Sequence, residues 1–243
     1  MSNAELLLSE VVDREKLNQL IQKNIINGPD MYRIAVDIGQ KILEACFNKG
    51  YSVPVDIRKV VEKFGVGIVE ADLNVDTGFQ LDYVYGYLWR TGKGRWIINV
   101  DEKQSEYAKH YIIAHEFSHY VLRQGIEPDG AVGKEEGCLG ETESYIDPFF
   151  PRKWDELLCD MLGAYLLFPP QEVLAYMKAY ADNMQKINCY PMDGYEWLRE
   201  LGQKAQVSAY YTIVSYQYLR SYMCAWYQSA SDNIPPEYMA FFK

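Results

Sequence analysis

Histidine is scarce in this chain: only His110, His115 and His119 occur in 243 residues. Positive charge is in short supply as well, with 24 Lys and Arg set against 34 Asp and Glu, a formal net charge of −10. Backbone affinity for nucleic acid comes from Lys and Arg that displace counterions, so this balance argues against direct nucleic-acid binding. An anionic membrane would repel the same surface. Cysteine is sparse and scattered. Cys46, Cys138, Cys159, Cys189 and Cys224 are odd in number and contain no Cys-x-x-Cys pair. That pattern argues against a disulfide framework or a thiolate zinc site and fits reduced thiols in a cytoplasmic protein. Long apolar runs are missing, so no membrane span is expected. Leu6-Leu7-Leu8 lies among Glu5, Glu10 and Asp13, too short and too acidic for a signal peptide.

Glycine and proline are absent from Tyr107 to Leu122, and within that stretch stands His115-Glu116-Phe117-Ser118-His119, a His-Glu-x-x-His motif. The stretch reads as a helix. Positions i and i+4 on a helix are stacked neighbours about 5–6 Å apart at Cβ, so His115 and His119 can close on one tetrahedral Zn²⁺. Glu116 lies one residue round from His115 and is placed to take a proton from water at the metal. A solvated amphipathic helix would also tolerate polar residues here. Ile112, Ile113, Phe117, Val121 and Leu122 instead make the helix apolar over a wide arc, and buried imidazoles and carboxylates need partners.

Three-residue and four-residue apolar steps from Ala4 to about Asn27 predict a first helix, ended at Asn27-Gly28-Pro29. Asp30 is expected to cap a second helix running to Gly50, and Asp56 precedes a third, Ile57 to Phe64, closed by Gly65. Val66 to Val69, Phe79 to Trp89 and Arg95 to Val100 are rich in Val, Ile, Tyr and Trp, which predicts a small, mostly antiparallel sheet. Thr91-Gly92-Lys93-Gly94 is expected to turn a hairpin rather than cradle a phosphate. Residues 123–151 are broken by Gly and Pro and are acidic, and they read as a solvated surface loop in preference to a substrate-gating lid. Helices follow at Asp155 to Phe168, Gln171 to Met184, Trp197 to Ala205 and Val207 to about Met223. The expected division is an N-terminal helix (1–29), a metal-site core (30–185) and a C-terminal helical region packed on it (186–243).

A tetrahedral catalytic zinc needs three protein ligands and a water, and His110 falls on the wrong face of the helix, so the third ligand is expected to be a carboxylate. Glu156 starts a helix that is otherwise apolar, and Asp160 lies one turn further on the same face. Two carboxylates there are costly unless they meet something positive. A metal-binding Glu156, with Asp160 accepting the outer N–H of a ligand imidazole, satisfies both.

These residues carry a resemblance. Ala114-His115-Glu116-Phe117-Ser118-His119, then Glu156-Leu157-Leu158-Cys159-Asp160-Met161-Leu162-Gly163-Ala164-Tyr165-Leu166-Leu167-Phe168-Pro169, are similar to the two ligand helices of the ImmA/IrrE family of bacterial and phage metallopeptidases. Val53-Pro54-Val55-Asp56, Gly86 and Ile97-Ile98-Asn99-Val100 extend the likeness upstream, and it covers roughly residues 30 to 220. The resemblance implies an α+β fold in which the sheet packs against a zincin-like pair of metal-site helices, with further helices at both ends. It implies zinc held by His115, His119 and Glu156, with Glu116 as general base and Asp160 behind the ligands. It also implies a protein substrate, a helix-turn-helix DNA-binding repressor, bound as an added strand along Val84 to Trp89 or Trp96 to Val100. Ser118 stands where the family has Gly, Cys159 where it has Ala, and Phe168 where it has Met. His119 and Glu156 are 156 − 119 = 37 residues apart, a longer gap than the family pattern suggests, which keeps Glu141 and Glu143 as further candidate ligands.

Two other functions compete with a peptidase. One is a metal-binding regulatory module that does not cut its partner, against which an intact Glu116 speaks. The other is a DNA-binding regulator, because Leu201 to Ser208 followed by a helix has helix-turn-helix rhythm. Ser208 to Leu219 contains no Lys or Arg, so such a recognition helix would lack phosphate contacts.

Overall fold

A computed structural model describes residues 3–12, 17, 28–47, 50–73, 84–92, 94–126, 154–186, 196–213 and 215–216. In chain order the elements are α1 (Asn3–Val11), α2 (Gly28–Phe47), α3 (Ile57–Lys63), β1 (Gly67–Ala71), β2 (Gly86–Arg90), β3 (Trp96–Asp101), α4 (Glu106–Ile126), α5 (Trp154–Leu167), α6 (Pro170–Lys186) and α7 (Glu196–Ala205). Residues 209–213 and 215–216 are helical again. The fold is α+β, with one small sheet and mostly helices.

Most of the expected helices are present with shifted ends, but the first, expected to run to about Asn27, ends at Val11, and the one expected from Val207 to about Met223 is described only to residue 216. α2 starts at Gly28, so Asp30 lies inside its first turn and does not cap it. Pro29 suits that turn because its fixed φ is already helical and its missing N–H would have had no partner there. α6 opens on Pro170 in the same way. Asp56 does cap α3, its carboxylate accepting the N–H of Lys59 at 3.1 Å. Most of the stretch between α1 and α2, the acidic stretch from residue 127 to 153 and the chain beyond 216 fall outside the described residues, and with them Glu141 and Glu143.

The sheet departs from the expected antiparallel arrangement. Its order is β1-β3-β2, with β1 parallel to β3 and β2 antiparallel to β3, so it is mixed. β2 and β3 form the expected hairpin. Its turn is held by the N–H of Thr91 on the Arg95 carbonyl at 2.8 Å and that of Gly94 on the Thr91 carbonyl at 2.7 Å. β2 lies on the far side of β3 from β1, and the hairpin brings β3 back alongside β1 in the same direction. Alternating side chains look the same in either pairing, so strand direction is set by these connections and not by strand composition.

Ile98 and Val100 of β3 and Leu88 of β2 are fully buried and face α4, which carries Ile113, Ala114, Phe117 and Val121 into the same core. α4 packs most extensively on α5, and α5 is covered on its other side by α2. Ser105 starts α4, its hydroxyl accepting the N–H of Ala108 at 3.2 Å, so the metal-motif helix begins directly after β3 with its first turn satisfied. Lys109, only 5% exposed in its side chain, donates to Glu70 of β1 and to Glu106, and Arg58 of α3 joins Glu70 as well. This cluster ties α3, β1 and α4 together near the start of the motif helix.

Two glycines set how closely the site elements approach. A Cβ on Gly86 of β2 would run into the side chain of Ile112 and come within 3.7 Å of Glu116 Cγ, so only glycine lets this strand lie against α4 at that level. A Cβ on Gly163 of α5 would sit 3.3 Å from the backbone nitrogen of His115, and its absence lets α4 and α5 meet backbone to backbone.

Candidate metal centre

His115 and His119 stand one turn apart on α4 with their rings 4.8 Å centre to centre, and both Nε2 atoms turn toward α5. Glu156, in the first turn of α5, points its Oε2 back at them. The three donor atoms form a nearly equilateral triangle: Nε2 to Nε2 is 3.2 Å, His115 Nε2 to Glu156 Oε2 is 3.4 Å and His119 Nε2 to Glu156 Oε2 is 3.3 Å. Donors held about 2.0–2.1 Å from one tetrahedral ion stand roughly 3.3–3.4 Å apart. The triangle therefore has the dimensions of one face of a coordination tetrahedron, and the residues present fit a divalent metal. Among the described residues, His115, His119 and Glu156 form the group whose donor atoms lie close enough together that they could hold a metal ion.

The surroundings orient the imidazoles. Nδ1–H of His115 donates to Asp160 Oδ1 at 2.9 Å, which turns Nε2 toward the shared point. The same carboxylate oxygen accepts the hydroxyl of Tyr111 at 2.9 Å, and the Tyr111 ring stacks on Tyr211 at 4.2 Å, so the helical turn after α7 braces the back of the site. Asp160, which sequence alone made costly, is buried among these two donors. Nδ1 of His119 lies 3.2 Å from Cys159 Sγ. Glu116 is buried on the same helix as the imidazoles. Ser118 is fully buried, but its hydroxyl donates to the Ala114 carbonyl at 2.8 Å, which makes a hydroxyl harmless where glycine was expected.

The structure brings Glu156 and Asp160 beside the two histidines, together with Tyr111 and Cys159, which the sequence did not single out. The signal for Cys159 was visible as a departure from the family pattern. For Tyr111 it was the position one turn before His115, on the same helix face. His110 stands apart from the triangle, near the backbone of Gln206, and burial lowers its pKa and keeps it neutral. In the helix expected from Val207, Tyr211 belongs to the core and Tyr210 is exposed, whereas residues beyond 216 lie outside the described residues.

The triad is a cluster of mutually interacting charges. Burial disfavours a charged His115, but hydrogen bonds to Asp160 and Glu156 and the charges of Asp160 and Glu116 outweigh it and hold its pKa well above 6.5. Burial likewise raises the Glu156 pKa, and the hydrogen bonds and charges of both histidines more than reverse that, holding it far below the usual carboxylate range. A pKa raised on folding means that His115 stabilises the metal-free fold fully below pH 6.5 and less as pH rises through its folded value. A metal must displace that proton. Apparent metal affinity is therefore expected to climb by up to about tenfold per pH unit from pH 6.5 to the folded pKa of His115. Chelator competition at a series of pH values checks this, and a flat profile above pH 6.5 would contradict it.

Two imidazoles and a carboxylate closing on one point, with a further carboxylate beside them, define a protein of the His-Glu-x-x-His metal-site class. The model of a metallopeptidase family, the IrrE N-terminal-like domain, matches residues 61–210, more than half of the 243 residues, and the chain belongs to this ImmA/IrrE family. The matched span runs from within α3 through the sheet and both ligand helices. No curated protein and no solved structure matches the chain. Among the described residues no helix is long and apolar enough to cross a membrane.

Proposed function

We propose that this protein is a zinc-dependent endopeptidase whose substrate is a DNA-binding repressor of the helix-turn-helix kind. The observation that carries the proposal is Glu116 buried beside a donor triangle of tetrahedral dimensions. His115, His119 and Glu156 would hold one Zn²⁺, which supplies a Lewis acid that acidifies water and polarises a peptide carbonyl. Glu116 removes a proton from the attacking water and returns it to the leaving amine. Asp160 and Tyr111 keep the His115 ring in its ligand orientation. Gly86 lets β2 lie against Glu116, and β2 is an edge of the described sheet, whereas β3 is its central strand with both sides paired. A substrate strand is thus expected along β2 rather than along β3, the other candidate, because a central strand has no backbone groups left to offer.

The net charge of −10 favours approach of a basic partner, which a DNA-binding repressor is. The would-be recognition helix after α7 buries Tyr211, Thr212 and Ser215, which weighs against its insertion in a DNA groove. The test is to incubate the zinc-loaded protein with a helix-turn-helix repressor encoded beside it and to search for a discrete fragment by mass spectrometry. Cleavage that stops on chelation supports the proposal. An intact repressor held in a stable complex favours the regulatory module, and a shifted promoter fragment at physiological salt with this chain alone favours DNA binding.

A further inference from the structure

The two imidazoles of the triangle have different outer partners. His115 meets a carboxylate, Asp160, whereas the position facing His119 is filled by the thiol of Cys159, with Sγ 3.2 Å from Nδ1. Cys159 is 1% exposed, and it precedes Asp160 on α5, so consecutive residues of one helix serve the two rings. Alanine, the residue the family pattern places here, carries no acceptor. We infer that Cys159 is a positioning residue for the metal: its sulfur accepts the Nδ1–H of His119 and so holds that ring in the tautomer whose Nε2 lone pair faces the donor triangle.

The physical argument has two parts. A neutral imidazole carries one proton, and without an ion Glu156 Oε2, 3.3 Å from Nε2, draws it to that nitrogen. A metal ligand must give its Nε2 lone pair to the ion, so the proton then sits on Nδ1, and an acceptor behind Nδ1 favours that tautomer. A buried Nδ1–H without a partner is also costly once the metal fixes the tautomer. Sulfur is a weaker acceptor than a carboxylate oxygen. His119 is therefore held less firmly than His115 and is the ligand expected to respond most to what lies behind it.

This inference rests on the proposed metal site, and its test separates the two. Zinc affinity of the full chain is measured by chelator competition for the parent, Cys159→Ala and Cys159→Ser, together with the visible spectrum of each Co²⁺-substituted protein and the unfolding temperature of each metal-free protein. Cys159→Ala is expected to bind zinc about tenfold more weakly, at the lower end of losses behind a ligand histidine, and to shift the Co²⁺ bands. Cys159→Ser keeps an acceptor in place and is expected to recover part of that loss. A thiol that only fills core space predicts otherwise: a lower unfolding temperature for both variants, with zinc affinity and Co²⁺ bands equal to the parent's. That result overturns the inference. A parent that binds no metal overturns the proposed function instead.

Discussion

Glu116→Gln is expected to bind one equivalent of zinc like the parent and to lose peptide hydrolysis by about 10²–10⁴-fold, the usual contribution of a positioned general base. The substitution preserves size and leaves His115, His119 and Glu156 untouched. It replaces a group that can take a proton with an amide that cannot. Glu116 is buried, so bulk water is poorly placed to substitute for it. Elemental analysis alongside a cleavage assay separates binding from chemistry. If the variant still cuts at the parent's rate, Glu116 has no part in the mechanism.

Glu156→Ala is expected to weaken zinc binding by more than a hundredfold. Asp160→Asn should weaken it by about 10–100-fold, the range for residues that orient a ligand. The contrast follows from the geometry. Glu156 Oε2 is one corner of the donor triangle, at 3.4 and 3.3 Å from the two Nε2 atoms, whereas Asp160 touches the far nitrogen of His115. Losing the Glu156 carboxylate removes a donor and also the negative charge that both imidazoles face. Competition against a chelator of known affinity measures both variants. A Glu156→Ala protein that holds zinc as tightly as the parent would move the third ligand into the acidic stretch, with Glu141 and Glu143 the first to examine.

The sequence by itself determined most of the helices and which residues of the motif helix share a face. His115 and His119 share a face because the α-helical repeat brings i and i+4 into register, a property of the local chain. Glu156 and Asp160 announced themselves because two carboxylates on an otherwise apolar helix require partners, whatever those partners are. Asp30 was misplaced as a cap because a Gly-Pro pair can end one element or begin the next, and only α2 itself, packed against α5 and α1, chose. Tertiary structure alone decided the rest. Strand composition is indifferent to direction, so the mixed order β1-β3-β2 emerged only from the connection and hairpin that return β3 to β1. The Tyr111–Asp160–His115 network joins positions up to 49 residues apart, and the Cys159–His119 contact spans 40. Periodicity records which residues lie on a face and says nothing of which face meets it. That choice was made by how closely α4 and α5 could approach, which the missing side chain at Gly163 allows.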